Sequence, residues 1–234
     1  MEVPTALTGL RASVPARRAL AFAIVLAVLA TAPHAQKQQQ GGSHPARLFP
    51  PSDLGLLDAP DRDLWQRPDQ IMDSLGVADG SVVADIGAGS GWFTIRLARR
   101  VGPQGLVFAE DVQKEMINAI SRRVSREGLA NVRPWLGQKN DPNLPAASID
   151  AVLIVDAYHE IENRVAVLRN LARSLKPQGR IGVVDFRLDG TGPGPSIEER
   201  VSPDVVVKDA TEAGLRLIRQ EPFLPYQYFL IFGK

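Results

Sequence analysis

A glycine-rich turn between a buried strand and an amphipathic helix most constrains how this chain folds. It lies in the stretch VVADIGAGSGWFTIRLA, Val82 to Ala98, where the strand ends at Ile86 and the helix starts near Trp92. Glycines let a ligand approach the backbone closely, and amides near a helix N-terminus point toward it. The dinucleotide-binding fingerprint G-x-G-x-x-G requires a glycine where this chain has Trp92. The turn therefore predicts a ligand site at a strand end, with a pattern that departs from that fingerprint.

Two carboxylates flank this turn along the chain. Asp85 opens the pattern D-x-G-x-G-x-G, and Asp111 follows Gly91 by 20 residues, at the end of the second predicted strand. A carboxylate in that position accepts hydrogen bonds from the hydroxyls of a ribose. Two alternatives stay open: Glu110 is the neighbouring candidate for the ribose, and both aspartates also suit the capping of strand ends.

Strand-like and helix-like segments alternate along most of the chain. This alternation predicts a parallel sheet with helices on both faces, and the last two strands, which lack an intervening helix, predict an antiparallel finish. The predicted fold class is one doubly wound α/β domain over residues 55–234, and a proline in its third strand suits an edge position. The predicted strands are 81–86, 105–111, 131–136, 148–157, 180–187, 215–223 and 226–234, and the predicted helices are 69–77, 92–101, 112–128, 164–179 and 202–214.

Four motifs together carry a family resemblance. They are VVADIGAGSGWFTIRLA, GLVFAEDVQKEMI, LPAASIDAVLIVDAYHEI and LKPQGRIGVVDF, in this order along the chain. With them the chain, from about residue 58 onward, resembles the class I methyltransferases that use S-adenosylmethionine. The resemblance implies a Rossmann-like seven-stranded sheet in the order 3-2-1-4-5-7-6 with the last strand antiparallel. It also implies S-adenosylmethionine as the cofactor and methyl transfer as the activity.

The resemblance assigns a set of positions to the cofactor. Asp85 and the turn surround the methionine end, and the last glycine of the turn permits close packing of strand on helix. Asp111 holds the ribose and Val112 packs on the adenine. The adenine amino group needs an acceptor, for which Asp141 is the candidate and Gln138 the alternative. The assigned residues are Asp85, Gly87, Ala88, Gly89, Gly91, Asp111, Val112 and Asp141.

A dense polar cluster follows the apolar run AVLIV of the fourth predicted strand. It contains Asp156, Tyr158, His159 and Glu160, at the strand end that faces the switch point of the sheet. Methyl transfer needs donor and nucleophile aligned in a dry pocket, and a general base where the nucleophile carries a proton. His159 or Asp156 is the candidate proton acceptor, and Tyr158 the candidate for positioning substrate. The alternative is structural: the polar side chains cap the next helix and bind loop backbone, while Tyr158 closes over the cofactor.

Two further segments flank the predicted pocket. Residues 58–71, DAPDRDLWQRPDQI, contain Arg62, Trp65 and Arg67. Either these fold over the pocket, with an arginine on the cofactor carboxylate, or they supply a core anchor and solvated charges. The loop 188–199 follows the fifth strand, and its Gly and Pro content suits a mobile lid or a long connector.

Composition disfavours several other classes of function. Lys and Arg number 27 against 26 Asp and Glu, so the chain lacks the basic excess that favours nucleic acid, and we expect a small-molecule substrate. The chain has no cysteine, which excludes disulfides, thiolate metal sites and a thiol-dependent arsenite methyltransferase. No spacing of acidic residues and histidines predicts a metal site. Two other functions stay open: a non-catalytic module that binds S-adenosylmethionine, and an NAD-dependent oxidoreductase, which Trp92 disfavours.

The first 35 residues have the layout of a secretory signal peptide. Arg11, Arg17 and Arg18 precede the apolar run ALAFAIVLAVLATA, residues 19–32, which is short for a membrane span. Residues 36–54 are rich in Gln, Gly, Pro and Ser and are predicted to form a flexible linker. We expect a periplasmic or secreted protein without stable membrane association after cleavage, with an uncleaved membrane anchor as the alternative.

Overall fold

A computed structural model describes residues 47–234 of the chain, so the predicted signal peptide (1–35) and residues 36–46 of the predicted linker lie outside the described residues. Strands and helices alternate as the sequence pattern predicts. The strands are β1 (Val82–Ile86), β2 (Leu106–Asp111), β3 (Val132–Leu136), β4 (Ile149–Val155), β5 (Leu175–Phe186), β6 (Arg216–Glu221) and β7 (Gln227–Gly233). The helices are α1 (Arg62–Gln66), α2 (Pro68–Leu75), α3 (Trp92–Val101), α4 (Lys114–Arg126), α5 (Arg164–Ser174) and α6 (Pro203–Glu212), with short 3-10 helices at Pro51–Asp58, Tyr158–Glu160 and Ile197–Glu199.

The strands form one seven-stranded sheet in the order β3-β2-β1-β4-β5-β7-β6. β7 runs antiparallel to β5 and β6, and the remaining neighbours pair in parallel. The predicted fold class, a doubly wound α/β sheet with an antiparallel finish, is confirmed.

Helices cover both faces of this sheet. One apolar cluster packs α2, α3 and α4 against one face, with Ile71, Leu97 and Ile120 among its members. A second cluster packs α5 and α6 against the other face, through residues such as Leu168 and Val206. β1 and β4 lie between both layers, which explains why their sequences are almost continuously apolar. Among residues 47–234, no helix has the length and apolar content needed to cross a membrane.

The two outer strands are β3 and β6, and each carries a feature that suits an edge. Pro134 lies in β3, as predicted, where its missing N–H interrupts no central ladder. β6 has five exposed residues, and its pairing register shifts between Leu217 and Arg219.

The boundary between α5 and β5 differs from the prediction. The helix predicted over 164–179 ends at Ser174, and the strand begins at Leu175 rather than at residue 180. Pro177 biases the residue before it toward extended backbone, which ends the helix early. The added residues form an irregularity, because the partners on β4 change from Ile149 opposite Leu175 to Ala151 opposite Arg180.

The described part of the predicted linker has defined structure. The 3-10 helix Pro51–Asp58 begins before the predicted domain boundary at residue 55, although none of its residues is buried. The backbone N–H of Phe49 donates to the carboxylate of Glu160 at 3.0 Å. Residues 49–58 therefore lie on the surface of the domain and are attached to it.

Candidate active site

The carboxyl ends of β1, β2, β4 and β5 meet at one edge of the sheet. β1 and β4 are neighbours whose following helices lie on opposite faces, and ligands of open α/β sheets bind in the crevice at such a switch point. The glycine turn follows β1, Asp111 ends β2, Asp156 follows β4, and Asp185 lies near the end of β5. The structure therefore brings most of the predicted site residues to one edge.

Two glycines of the turn are required by their geometry. Gly87 has a φ of +67°, and a Cβ built on it would lie 2.5 Å from the Cβ of Ala157, in the loop after β4. Gly91 precedes α3 with a φ of +79°, and a Cβ there would lie 3.5 Å from the nearest α4 atom, an ordinary contact. Its backbone conformation, rather than the predicted close packing of strand on helix, is what favours glycine there. Between them, the N–H of Ala88 donates to the carbonyl of Glu110 at 2.9 Å.

Asp85 lies in β1 with its carboxylate buried beneath the turn. One oxygen accepts a hydrogen bond from the hydroxyl of Thr94 in α3, at 2.6 Å. Burial raises the pKa of Asp85 to about 6, and the bond from Thr94 and the charge of Arg62 oppose that shift. The structure links this carboxylate to α3, and its predicted contact with the methionine end of a donor stays a prediction.

Asp111 and Glu110 are adjacent in β2 and therefore point to opposite faces of the sheet. The two oxygens of Asp111 accept from the backbone N–H of Gly89 at 3.1 Å and of Gln113 at 2.9 Å. These amides hold the carboxylate beside the glycine turn. Glu110 lies against the backbone after β3, because a Cβ built on Gly137 would be 1.7 Å from Oε1 of Glu110. Burial raises the pKa of Glu110 to about 8. The geometry favours Asp111 over Glu110 as the ribose ligand.

The loop after β3 holds the two candidates for the adenine amino group. The main chains of Gln138 and Asp141 hydrogen-bond to each other at 2.9 and 3.1 Å. Oδ1 of Asp141 accepts from the N–H of Asn143 at 2.9 Å, and Oδ2 lies 3.6 Å from Arg173 of α5. Oδ1 of Asp141 thus stabilises a turn, and the predicted role of Asp141 at the adenine stays a prediction. Val112, half-buried directly after β2, stays the predicted adenine contact.

Asp156 follows β4 in a left-handed backbone conformation, with a φ of +54°. One carboxylate oxygen lies 3.2 Å from the guanidinium of Arg62, and the other accepts from the side-chain amide of Gln227 in β7. Burial raises the pKa of Asp156 to about 7, and the charge of Arg62 opposes that shift. Because both oxygens already have donors, the geometry favours Asp156 less than His159 as a proton acceptor.

Residues 58–71 match neither alternative throughout, and the contact of an arginine with the cofactor carboxylate stays a prediction. The guanidinium of Arg62 is buried, lies 4.4 Å from the ring centroid of Trp92 and 5.9 Å from that of Trp65, and donates to the carbonyl of Leu57 at 2.7 Å. Arg67, by contrast, is exposed. Arg62 is therefore an interior cation next to the loop after β4, and Arg67 is a solvated charge.

His159 lies in the 3-10 helix after β4 and binds Asp185 of β5. Its Nδ1 is 3.0 Å from both oxygens of Asp185, and its backbone N–H donates to the same carboxylate at 3.1 Å. Its Nε2 lies 3.9 Å from Glu160. Burial opposes protonation of the imidazole, but the hydrogen bond and charge of Asp185 outweigh burial and raise the pKa of His159 to about 9. A carboxylate on Nδ1 fixes the orientation of the ring and leaves Nε2 as the titrating atom.

Tyr158 is not where the sequence prediction puts it. Its side chain is fully buried in the apolar cluster under α5 and α6, and its hydroxyl donates to Asp209 of α6 at 2.9 Å. Burial and Asp209 raise the pKa of its hydroxyl well above the ordinary value. The expectation that Tyr158 positions substrate or closes over the cofactor is wrong, because its ring points into the core beneath the loop.

Two buried residues at this edge are not predicted from the sequence. Asp185 lies between Val184 and Phe186 in an apolar strand. Because acids are rarely buried without a partner, its position in the sequence does indicate a paired carboxylate. The side-chain amide of Gln227 donates to Asp156, and its oxygen accepts from Gln66 at 2.7 Å. A neutral amide at the start of a strand does not indicate such partners from the sequence.

The connection after β5 is folded back on the strand that it follows. The guanidinium of Arg200 donates to the carbonyls of Arg187 at 2.8 Å and Thr191 at 3.3 Å, and lies 5.2 Å from the ring of Phe186. A lid function for residues 188–199 stays a prediction. Within residues 47–234, no group of three or more acidic or histidine side chains is arranged to hold a metal ion.

A glycine turn, a fixed carboxylate at the next strand end and a polar loop after β4 define a Rossmann-like protein with a candidate ligand site at the carboxyl ends of its strands. A family model described as a methyltransferase domain matches residues 83–179. A SAM-dependent methyltransferase from Aquifex aeolicus is similar with a TM-score of 0.76 and 30% identity, over 79% of this chain and 98% of that one. The chain belongs to the class I S-adenosylmethionine-dependent methyltransferase family, whose cofactor is the one that the motifs predict.

Curated relatives share the same domain. Nocamycin O-methyltransferase of Saccharothrix syringae is 34% identical over 130 residues, which cover 56% of this chain and 45% of that protein. The ubiquinone/menaquinone biosynthesis C-methyltransferase UbiE of Hydrogenovibrio crunogenus is 30% identical over 124 residues, which cover 53% and 48%. The matched region spans about half the length of these curated relatives.

The assignment of Tyr158 to the core can be tested with Tyr158→Phe. Removing the hydroxyl that donates a hydrogen bond to Asp209 should lower the free energy of unfolding by about 1 kcal/mol, measured by urea denaturation. The affinity for S-adenosylhomocysteine, measured by titration calorimetry, should stay within about twofold of the wild-type value. A large loss of affinity for S-adenosylhomocysteine without a loss of stability would show that Tyr158 contributes to the ligand site.

The buried titratable groups make the stability of the ligand-free protein depend on pH. The pKa values of Asp85, Asp156 and Glu110 are raised to about 6, 7 and 8, and that of His159 to about 9. The folded chain therefore holds protons that the unfolded chain has already released. The resulting stability is fully present below the unfolded pKa values, and is lost as pH rises through the folded ones.

We accordingly expect a melting temperature at least about 4 °C lower at pH 9 than at pH 5.5, measured by differential scanning calorimetry. Glu110→Gln cannot titrate at this position and should narrow that difference. A melting temperature that rises between these two pH values would contradict the raised pKa values.

Proposed function

We propose that the chain is an enzyme that transfers the methyl group of S-adenosylmethionine to a small-molecule acceptor. The observation that carries the proposal is the carboxylate of Asp111, held beside the glycine turn by the amides of Gly89 and Gln113. A carboxylate fixed in this way can accept hydrogen bonds from both hydroxyls of a ribose. The open backbone of the turn then faces the methionine end of the same ligand. Membership of the family supports this assignment.

The start of α3 disfavours a nicotinamide dinucleotide as the ligand. Trp92 is buried at this position, with Arg62 on its ring at 4.4 Å and Arg96 at 3.5 Å. The dinucleotide fingerprint needs a glycine there to bring helix and strand close together. A buried tryptophan ring in contact with two guanidinium groups is incompatible with that approach.

The proposed mechanism divides the work among the loops at the sheet edge. When bound, S-adenosylmethionine supplies an activated methyl group and leaves as a neutral thioether, so the protein has to align the reactants and handle a proton. Arg62 and Gln227 fix Asp156 and thereby the loop after β4. His159 accepts the proton of the acceptor at Nε2, while Asp185 keeps its Nδ1 protonated and its ring oriented.

The mechanism requires the imidazole of His159 to be neutral before it can accept a proton. With a pKa of about 9, the imidazole is mostly protonated at pH 7 in the ligand-free protein. A positively charged ligand nearby disfavours a second positive charge, so binding of the sulfonium donor should lower that pKa. The donor would thus help to create the base that the reaction requires.

The acceptor is proposed to be a small molecule whose reacting atom carries a removable proton. An oriented imidazole at the strand end supports the removable proton, because a base accelerates transfer only from a protonated nucleophile. The near balance of 27 basic and 26 acidic residues supports a small molecule over nucleic acid. The two curated relatives are named for methylation on oxygen and on carbon.

Export belongs to the same proposal. The basic residues before the 14-residue apolar run, residues 19–32, support a signal peptide over residues 1–35, and hence a periplasmic or secreted enzyme. Since S-adenosylmethionine is made in the cytosol, an exported enzyme would need donor supplied on the other side of the membrane.

Titration calorimetry with S-adenosylmethionine, S-adenosylhomocysteine and NAD tests the proposed donor. We expect both sulfur compounds to bind and NAD not to bind. Incubation with labelled S-adenosylmethionine and metabolite extracts, followed by mass spectrometry, then tests methyl transfer. Binding of NAD alone would overturn the proposal, and donor binding without any transfer would favour the non-catalytic module.

The ribose assignment can be tested with a pair of neighbouring acids. Asp111→Asn preserves the shape of the side chain, removes its charge and replaces one of its two acceptor oxygens with an NH2 group that cannot accept, so the dissociation constant of S-adenosylhomocysteine should rise at least about tenfold. Glu110→Gln is the matched control and should change that constant less than about twofold. The reverse pattern would move the ribose role to Glu110.

The role of His159 can be tested by kinetics and by NMR. His159→Ala should reduce the rate of methyl transfer at least about 100-fold, because it removes the base, and should leave the affinity for the uncharged S-adenosylhomocysteine unchanged, because it removes no donor contact. The chain has 3 histidines, so the imidazole of His159 can be followed directly through a pH titration. S-adenosylmethionine should lower its pKa by about one unit more than S-adenosylhomocysteine, which lacks the sulfonium charge.

Asp185→Asn is the control for this experiment. Without the carboxylate, the pKa of His159 should fall below its wild-type value even in the absence of ligand. Equal pKa values with both sulfur compounds, or full activity in His159→Ala, would remove His159 from the mechanism.

A further inference from the structure

Residues 49–58, the cover segment, cross the sheet edge at which β1, β2 and β4 end. The segment lies outside residues 83–179, which the methyltransferase family model matches. At its start, the N–H of Phe49 donates to Glu160 after β4, and the carbonyl of Phe49 accepts from the side chain of Gln113 after β2, both at 3.0 Å. One residue thus connects the two sides of the crevice.

The other end of the cover segment rests on the glycine turn. The carboxylate of Asp58 accepts from the hydroxyl of Ser90 and from the guanidinium of Arg123, both at 2.9 Å. The side chain of Leu57 lies directly on the turn, since a Cβ built on Gly89 would be 3.0 Å from its Cδ1.

Both contact points adjoin the proposed ribose ligand. Gly89, on which Leu57 lies, donates to Asp111, and Gln113, which binds Phe49, also donates to Asp111 through its backbone. A ligand with its ribose on this carboxylate therefore lies next to both ends of the segment. The half-buried side chains of Phe49 and Leu57 are the apolar groups that the segment has available there.

The cover segment contributes no buried residue between Pro51 and Asp58, so its opening would not disrupt the core. Within it, Leu56 is 73% exposed. The contacts that hold the segment to the domain are mainly polar and lie at its two ends. Segments with little buried apolar surface open locally at a small free-energy cost.

We propose that the cover segment closes over bound S-adenosylmethionine, with Phe49 and Leu57 in contact with it, and opens to exchange donor and product. The inference rests on the proposed function, because it needs the donor to bind at Asp111. It assigns donor-binding residues to a stretch that starts inside a predicted linker.

Two adjacent leucines provide a matched affinity test. Leu57→Ala removes side-chain atoms that would contact the donor, so the dissociation constant of S-adenosylhomocysteine should rise about fivefold to tenfold. Leu56→Ala removes an exposed side chain from the same 3-10 helix and should leave the constant within about twofold. Equal melting temperatures of the two variants would show that both fold alike.

The absence of cysteine from the chain allows a direct test of closure. Leu57→Cys and Leu56→Cys each introduce one thiol into the full-length protein, and its reaction with an aromatic disulfide reagent is followed by absorbance. Saturating S-adenosylhomocysteine should slow modification at position 57 at least about tenfold, because a thiol reacts only when accessible. Modification at position 56 should be unchanged.

The outcomes separate this inference from the proposed function. If the wild-type protein binds S-adenosylhomocysteine, but the Leu57 variants behave like the Leu56 variants in both measurements, the cover segment is not part of the donor site and the proposed function stands. If the wild-type protein does not bind the ligand, both the proposed donor and this inference are overturned.

Discussion

The close approach of the glycine turn to the loop after β4 is the constraint on which the rest of the site depends. A side chain at Gly87 would lie 2.5 Å from the Cβ of Ala157, so the two loops meet only because this position has none. Their contact joins the loop after β1 to the loop after β4. It also fixes the loop that carries Asp156 and His159 next to the turn that faces Asp111.

The electrostatic character of this edge follows from its buried acids. Asp85, Glu110, Asp111 and Asp156 all have raised pKa values, chiefly because burial disfavours their charged forms. An environment of this kind is stabilised by added positive charge. S-adenosylmethionine carries a sulfonium and an ammonium group, so we expect the proposed ligand to be attracted by these acids and opposed by the charges of Arg62 and protonated His159. The attraction by the acids is independent of the hydrogen bonds at the ribose.

The elements that depend on local sequence pattern were predicted correctly. The side-chain positions that depend on long-range packing were not. Strand order, the glycine turn and the choice of Asp111 followed from periodicity, spacing and the family motifs. Tyr158 lies in the core while its neighbour His159 binds Asp185, and no spacing in the sequence indicates this difference or the left-handed backbone of Asp156 before them. The pairing of Arg62 with Asp156 joins residues 94 positions apart, and Asp141 is drawn to α5 by a contact that its own loop does not specify. Composition indicates mobility in residues 36–54, but not the partners that hold Phe49.

The two outer strands have a consequence for how the molecule behaves beside its own copies. Pro134 leaves the outer strand β3 without one backbone N–H, and the irregular register of β6 comes with exposed Arg216 and Arg219. A free strand edge is a template for sheet extension, and proline, bulges and like charges each oppose it. We therefore expect both borders to oppose extension of the sheet into another molecule. Association between molecules in concentrated samples should therefore involve surfaces other than the two edges of the sheet.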